Sequence, residues 1–249
     1  AAREGVIWDT AIDVVLRLAE ASGCPIHIAH IQTPRSIEAV RRAKSRGIDV
    51  TCEVNHWAPF LSTWNDVETL GPYALSYWVP DESRAAIWEG MRDGTIDIAS
   101  SDHAPHTREE KEVGWTEMWS AHTGTPGIQY YYPLMLDAVN KGELTLDRVV
   151  DMVATKPAEA FGLSGVKGSL QVGADADIVV ADMDSAWTIT HEGALSRIGW
   201  TCYDGRDISA RVDRTYVRGI EVFADGVVTG APGTGKLALS STDREGNAR

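Results

Sequence analysis

Cysteine, basic charge and long apolar runs are scarce in this sequence of 249 residues, and each scarcity excludes a class of protein. The three cysteines, Cys24, Cys52 and Cys202, lie too far apart for a disulfide framework or a CxxC metal site. Lysine and arginine number 23 against 36 acidic residues, and the resulting net charge of −13 would repel a nucleic acid. No run approaches the roughly 18 apolar residues of a membrane span. We therefore expect a reduced, cytoplasmic protein that binds neither nucleic acid nor membrane.

The first part of the chain alternates between helical and strand patterns. The predicted helices are 9–23, 34–47 and 81–94, and the predicted strands are 26–31, 48–54 and 96–101. Thr33 and Pro34 supply a cap and a first-turn proline for the second helix. This order is typical of an α/β fold with a parallel sheet and helical crossovers.

After the last of these strands the pattern changes twice. Residues 107–132 are irregular and rich in Trp, Thr and Gly, which predicts a functional loop whose charged run at 109–112 is its solvated face. Helical patterns return before Gly162, and beyond it short strand-like stretches separated by glycines predict antiparallel β-structure. The predicted domains are an α/β part at 1–163, a β-portion at 164–229 and a flexible tail at 230–249.

The α/β part is short of strands. A closed eight-stranded α/β barrel takes roughly 250 residues, whereas residues 1–163 contain three clear parallel-strand patterns. An open edge of such a sheet would expose unpaired backbone groups. The first residue is also alanine rather than methionine, without an apolar signal region behind it. We expect a processed or truncated chain whose missing strands lie upstream or on another chain.

Ionisable side chains follow each predicted strand. His30 ends the first, Glu53 and His56 follow the second, and residues 101–106, with the sequence SDHAPH, follow the third. The carboxyl ends of parallel barrel strands form the active-site face. His27 and His30, three positions apart on a strand, should point to opposite faces, so only one should face the site. A single histidine in an apolar strand is more typically structural, and Glu53 and His56 fit a structural role as well as a supporting one.

Residues 101–106 carry the most specific pattern. One carboxylate and two imidazoles follow the strand within five positions, and Pro105 stiffens the turn. Asp102 could serve as a metal ligand and as the base that takes a proton from a water molecule. The alternative is an aspartate that caps a turn beside solvated histidines.

At these motifs the sequence resembles the cyclic amidohydrolases, the family of dihydroorotases, hydantoinases and allantoinases. SDHAPH at 101–106 resembles their signature, and IHIAHIQT at 26–33 resembles one of their barrel strands. GTPGI at 124–128 is similar to a loop of the family, and KGSLQVGADAD at 167–177 to the start of a strand. The resemblance runs over nearly the whole chain.

The resemblance implies the C-terminal half of a TIM-like (β/α)8 barrel, followed by part of a small β-sandwich domain. It also implies hydrolysis of a cyclic amide by a hydroxide that bridges two metal ions, usually zinc. His30 and Asp102 would be metal ligands, and Asp102 would also shuttle the proton to the leaving nitrogen. The remaining implied site residues are His106, Thr125, Pro126 and Gly127 at the substrate, and His103, Glu53 and His56 as supporting groups.

The departures from the family are equally informative. Its His-x-His pair, its carboxylated lysine and a further histidine have no counterpart here, and zinc needs at least three protein ligands. The resemblance therefore implies that this chain is inactive by itself, and that it forms a homo-oligomer or associates with a chain that supplies the N-terminal half-barrel. The alternative is a non-catalytic subunit that acts as a structural partner in an oligomer.

The substrate is less clearly indicated. Residues 76–84, SYWVPDESR, lack the asparagine and the paired prolines of the dihydroorotase segment NPPLR. Tyr77, Trp78 and Trp88 suggest an aromatic pocket like that of hydantoinases. Packing in the core explains these side chains equally well.

Overall fold

The computed structural model describes residues 5–61, 64–74 and 81–239. Contacts divide the chain into two compact units, one made of residues 1–132 and 188–206 and the other of residues 133–187 and 207–249. Within the described ranges, no helix has the length and apolar character to cross a membrane. The domain limits at 1–163, 164–229 and 230–249 stay a prediction, and the last range is described only as far as residue 239.

The first unit is built on a parallel sheet. Its strands are β1 (Ile26–Ile28), β2 (Val50–Asn55) and β3 (Ile98–Ser100), and its helices are α1 (Val6–Ser22), α2 (Pro34–Ser45), α3 (Trp57–Phe60), α4 (Trp64–Leu70), α5 (Asp81–Asp93) and α6 (Arg108–Glu112). The sheet order is β1-β2-β3, with Ile26 in register with Val50 and Glu53 in register with Ile98. Both strand pairs are parallel, which confirms the predicted α/β fold.

Helix α2 is the central packing element of this unit, in contact with α1, α5 and β2. Its Ile37 and Val40 are buried, as are Ile87 and Met91 of α5. Thr33 caps α2 as predicted, since its side chain accepts a hydrogen bond from the backbone N–H of Ser36 at 3.0 Å. Burial of these aliphatic faces against the sheet stabilises the arrangement.

Helix α1 begins earlier than the sequence pattern predicts. It starts at Val6, after Gly5 in a left-handed conformation, rather than near Asp9. Asp9 instead lies in the first turn and is buried, where its carboxylate accepts hydrogen bonds from the hydroxyls of Thr33 and Ser36. Asp9 therefore links the first turn of α1 to the start of α2.

Two predicted strands end early for one physical reason. The strands predicted at 26–31 and 96–101 stop at Ile28 and Ser100, and His30 and Asp102 follow with positive φ angles. A left-handed residue cannot continue an extended strand. Residues 107–132, predicted to be irregular, contain α6 and the 3-10 turns Val113–Trp115 and Met118–Ser120.

The second unit combines helices with an antiparallel sheet. Its elements are α7 (Tyr131–Asn140), α8 (Leu146–Val150), a π-helical turn (Asp151–Thr155), α9 (Lys156–Ala160), β4 (Ile178–Asp182), β5 (Trp187–Thr188), β6 (Asp207–Ile208), β7 (Arg211–Val217), β8 (Ile220–Ala224) and β9 (Val227–Val228). Strands β4, β7, β8 and β9 form a four-stranded sheet in that order, with every pair antiparallel. The predicted antiparallel β-structure is confirmed, while a sandwich stays a prediction.

Candidate active site

The carboxyl ends of the parallel strands carry two strained residues. His30, just after β1, has a φ angle of 55°, and Asp102, just after β3, has a φ angle of 39°. A left-handed conformation in a residue other than glycine costs roughly 1–3 kcal/mol, and such residues cluster at functional sites. The surrounding structure holds both residues in this conformation.

At this edge of the sheet, one imidazole contacts a carboxylate from each of the other two strand ends. The Nε2 atom of His30 lies 3.5 Å from Oε1 of Glu53 and 3.6 Å from Oδ1 of Asp102. All three side chains are partly shielded, with exposed fractions of 30%, 15% and 26% respectively. The structure therefore brings together an imidazole and two carboxylates that are far apart in the sequence.

Glu53 lies at the centre of a polar network. Its Oε1 accepts a hydrogen bond from the hydroxyl of Ser100 at 3.1 Å, and its Oε2 lies 3.4 Å from Nε2 of His27. The expectation that only one of His27 and His30 can face this region was wrong, because His30 follows the strand in a left-handed turn rather than lying in it. Each carboxylate oxygen of Glu53 therefore contacts one imidazole.

Asp102 is held by a residue that the sequence analysis missed. The Nδ2 group of Asn55, the last residue of β2, donates a hydrogen bond to Oδ2 of Asp102 at 3.3 Å. Asn55 is 1% exposed, and its Oδ1 atom is buried without a hydrogen-bond partner among the described residues. Its place directly after Glu53 and Val54 at the carboxyl end of a strand was the signal available in the sequence.

His103 holds the loop at residues 124–127. Its Nδ1 atom accepts hydrogen bonds from the backbone N–H groups of Gly127 at 3.1 Å and of Ile128 at 3.3 Å. Burial lowers the pKa of His103, which favours the neutral ring that can accept them. The backbone N–H of Ala104 also donates to the carbonyl of Thr125 at 3.1 Å. The SDHAPH segment and the loop thus form one backbone unit.

His56 supports the same loop from within the core. It is 3% exposed, and its Nδ1 atom is hydrogen-bonded to the hydroxyl of Tyr203, which in turn donates to the carbonyl of His56 at 3.2 Å. Burial lowers the pKa of His56 to about 3, so its ring is neutral near pH 7. Its Nε2 atom has no hydrogen-bond partner among the described residues and lies against Gly127.

Lys111 is a buried residue in the run that was expected to be solvated. Its Nζ atom donates to the backbone carbonyls of His122 at 2.8 Å and Gly124 at 2.9 Å, and the residue is 0% exposed. Burial lowers the pKa of Lys111 to about 8. The prediction that residues 109–112 form only a solvated face was wrong for this position, since α6 turns Lys111 inward to bind the loop.

His106 lies among loop residues. Its Nδ1 atom is 3.4 Å from Oε2 of Glu110, and its ring centroid is 5.0 Å from that of His122. The indole N–H of Trp200 donates to the backbone carbonyl of His106 at 2.8 Å. These contacts fix where His106 lies without assigning its role.

The aromatic residues that suggested a hydantoinase-like pocket divide into two groups. Tyr77 and Trp78 lie outside the described residues. Trp88 is buried and packs edge-on against Phe60, with ring centroids 5.5 Å apart. For Trp88, packing in the core therefore accounts for the side chain.

The donors at the strand ends fit a zinc ion in type and spacing. Zinc binds imidazole nitrogen and carboxylate oxygen at about 2.0–2.2 Å, so two ligands of one ion lie roughly 3.4 Å apart. His30 and Asp102 present such a pair at 3.6 Å. Two ligands are fewer than the three that a catalytic zinc site needs.

Comparisons with known proteins agree with these motifs. A family model described as the amidohydrolase family matches residues 5–222. The L-hydantoinase of Paenarthrobacter aurescens is 35% identical over 231 residues, which are 91% of this chain and 50% of that protein. The dihydroorotase of Halobacterium salinarum is 35% identical over 225 residues, which are 90% of this chain and 51% of that protein.

Solved structures show the same fold. The L-hydantoinase from Arthrobacter aurescens superposes with a TM-score of 0.84 at 35% identity, covering 89% of this chain and 50% of that one. A D-hydantoinase superposes with a TM-score of 0.88 at 29% identity, covering 93% of this chain and 52% of that one. The chain spans about half the length of the curated relatives it matches.

Proposed function

This chain belongs to the amidohydrolase family, and on that premise we propose that the complete protein hydrolyses the ring amide of a small cyclic amide. One observation carries the proposal: His30 lies 3.5 Å from Glu53 and 3.6 Å from Asp102 at the carboxyl ends of three parallel strands. Catalytic residues of parallel α/β barrels come from these strand ends. The names hydantoinase and dihydroorotase among the relatives support a cyclic amide as the substrate class.

The architecture is proposed as the C-terminal half of a (β/α)8 barrel at 1–163, followed by part of a β-sandwich at 164–229. Three parallel strands joined through helices support the first part. A four-stranded antiparallel sheet supports the second. This chain matches about half the length of each relative, which is consistent with a half-barrel followed by part of a second domain.

We assign His30 and Asp102 as ligands of a metal centre, with zinc as the expected metal and two ions per site as in the family. When bound, the metal polarises the ring carbonyl and activates a water molecule. The described residues provide two of the ligands at this edge, so the others must come from elsewhere in the complete protein. By itself, this part of the protein is expected to be inactive.

Asp102 is proposed as the proton carrier of the reaction. One oxygen of its carboxylate faces His30, and the amide of Asn55 holds the other. Water adds to the ring carbonyl, its proton passes to Asp102, and the carbon–nitrogen bond breaks as that proton is delivered to the ring nitrogen. The products are a carboxylic acid, which releases its proton to water and becomes a carboxylate, and the freed nitrogen group, so that one water is consumed for each ring opened.

The substrate is proposed to lie against His106 and the loop residues Thr125, Pro126 and Gly127. The loop is held in place by His103 and by Lys111. The loop backbone is proposed to make this contact, because Thr125 is 2% exposed and its Oγ1 atom is buried. Pre-positioned groups of this kind raise the rate by orienting the substrate.

The partner and the compartment are part of the proposal. A chain that supplies the N-terminal half-barrel would complete the ligand set, whereas a homo-oligomer would cover the open edge of the parallel sheet. The three cysteines are free thiols, and burial raises the pKa values of Cys52 and Cys202 to about 12. Free thiols are the usual state in a reducing cytoplasm, which supports that location.

The test is hydrolysis by the complete, zinc-loaded protein on a panel of hydantoin, dihydroorotate and allantoin. We expect one of these rings to open and Asp102→Asn to abolish the reaction. Asp13→Asn, at an exposed position in α1, is the matched control and should leave the rate unchanged. If the metal-loaded protein opens none of these rings, the proposal fails and the non-catalytic alternative is favoured.

A further inference from the structure

A second group of metal-binding side chains lies in the segment that follows β3. His106, Glu110 and His122 each offer one ligand atom, and these atoms all lie within 4.8 Å of one another. None of the three belongs to the pair formed by His30 and Asp102. We propose that these three residues bind a divalent metal ion, zinc by preference, in a site of its own, with Nδ1 of His106, the atom that faces Glu110, as one donor and Nε2 of the same ring left for the substrate contact proposed above.

The chemistry of the donors selects the class of ion. Two imidazoles and one carboxylate form the ligand set of many three-ligand zinc sites, in which water takes the fourth position. Calcium and magnesium prefer oxygen donors alone, so two imidazoles disfavour them. Two neutral imidazoles and one carboxylate give the ligand set a single negative charge, which offsets part of the charge of the divalent ion. The half-exposed position of Glu110 and the exposed position of His122 give the ion access from solvent.

The carboxylate of Glu110 is already oriented. Thr107 and Glu110 form a capping box at the start of α6, in which Oε2 of Glu110 accepts the backbone N–H of Thr107 at 2.8 Å. The same oxygen lies 3.4 Å from Nδ1 of His106. The hydrogen bond from Thr107 thus holds one carboxylate oxygen of Glu110 in place. Outer hydrogen bonds of this kind orient metal ligands in proteins.

The two histidines are anchored through their backbones. The N–H of His122 donates to the carbonyl of Glu110 at 3.3 Å, and the carbonyl of His122 accepts from Nζ of Lys111 at 2.8 Å. On the other side, Trp200 donates to the carbonyl of His106 at 2.8 Å. Side-chain rotation is therefore the movement still needed to bring the three donors to zinc distances. Backbone anchoring on all three ligands distinguishes this group from a chance cluster of surface charges.

The test compares metal binding by the complete protein and three variants. Glu110→Gln removes the charged ligand but keeps the capping box, since glutamine also fits that motif. His122→Asn removes an imidazole from an exposed side chain, and its backbone bonds remain. Glu109→Gln, an exposed position beside Glu110 in the same helix, is the matched control. Each protein is stripped with a chelator and titrated with Zn²⁺, and with Co²⁺ for its visible spectrum.

We expect both ligand variants to bind one zinc equivalent fewer, or to bind it at least tenfold more weakly, than the wild type and Glu109→Gln. The Co²⁺ absorption bands of this equivalent should be lost with it. Equal zinc stoichiometry, affinity and Co²⁺ spectra in all four proteins would overturn the site, as would an equal loss in Glu109→Gln. The readout is independent of the proposed hydrolysis, because Asp102→Asn and His30→Asn test that centre separately.

Discussion

The Nε2 atom of His56, which has no hydrogen-bond partner among the described residues, lies against Gly127, and a side chain at Gly127 would occupy the same space. A Cβ atom there would lie 2.1 Å from Nε2 of His56 and 2.7 Å from the backbone oxygen of Ser101. The first neighbour is a buried ring that is hydrogen-bonded to Tyr203, and the second is main chain of the SDHAPH segment, so neither is free to move aside. This close approach explains why the loop requires glycine at its last position.

Gly127→Ala is therefore expected to displace the loop. Overpacking of a filled site costs about 1–3 kcal/mol, and we expect a loss of this size in the free energy of unfolding by urea. Gly235→Ala is the control, because no atom of the described residues, apart from its chain neighbours, lies within 4 Å of a Cβ at that position. Equal stability of Gly127→Ala and wild type would show that the loop can move away freely.

Burial of His56 predicts a pH dependence of stability. The pKa of His56 is lowered by burial from 6.5 to about 3, so between these values the unfolded chain binds a proton that the folded chain does not. The contribution of neutral His56 to the free energy of unfolding is therefore fully present above pH 6.5. It is lost as the pH falls towards 3, by up to about 1.4 kcal/mol for each pH unit.

The measurement is urea unfolding of the wild type and His56→Gln from pH 7.5 down to pH 4. We expect the stability of the variant to fall less steeply below pH 6.5. Above pH 7 the two slopes should be the same, which serves as the internal control. Parallel curves over the whole range would contradict the assignment of a buried, neutral His56.

Much of the fold of the first unit follows from the sequence. Thr33 with Pro34 and the apolar positions of α2 predict the helix that the structure contains. The early ends of β1 and β3 were not predictable, because His30 and Asp102 are left-handed without being glycine. Their conformation depends on contacts from a neighbouring strand, which periodicity along one segment does not contain.

The candidate site also has a part that the sequence predicts and a part that it does not. The SDHAPH segment indicates its chemistry because the acid and the imidazoles lie close together in the sequence. Asn55 and Lys111 were missed, because their roles arise from partners 47 and at least 11 positions away. The sequence predicts a solvated side chain for Lys111, because it lies within a run of glutamates. The packing of α6 shows that this side chain is buried.

Lys111→Met should loosen the loop, since it leaves the carbonyls of His122 and Gly124 without their donor. We expect faster hydrogen exchange at the backbone amides of Gly127 and Ile128, measured by mass spectrometry or NMR. Lys156→Met, at a helical position with a local ion pair to Glu159, is the control. Unchanged exchange at both amides would show that His103 holds the loop without help from Lys111.

The same variant tests the charge state of Lys111. Its pKa is lowered by burial from 10.5 to about 8, so between pH 8 and pH 10.5 the unfolded chain binds more protons than the folded chain. The stability of the wild type relative to Lys111→Met should therefore rise with pH across this window. A flat difference between the two proteins would contradict a buried lysine with a lowered pKa.

Asn55→Ala tests the hydrogen bond that orients Asp102. The Nδ2 group of Asn55 lies 3.3 Å from Oδ2 of Asp102, and its removal frees the carboxylate to rotate away from His30. Loss of such an outer partner typically lowers metal affinity roughly 10–100-fold. We expect a fall of this size in zinc affinity of the complete protein, measured by competition with a chromophoric chelator.

Asn140→Ala, in α7 of the second unit, should leave zinc affinity unchanged although it also removes amide hydrogen bonds. If Asn55→Ala binds zinc as tightly as Asn140→Ala does, Asn55 packs the end of β2 and does not position the ligand.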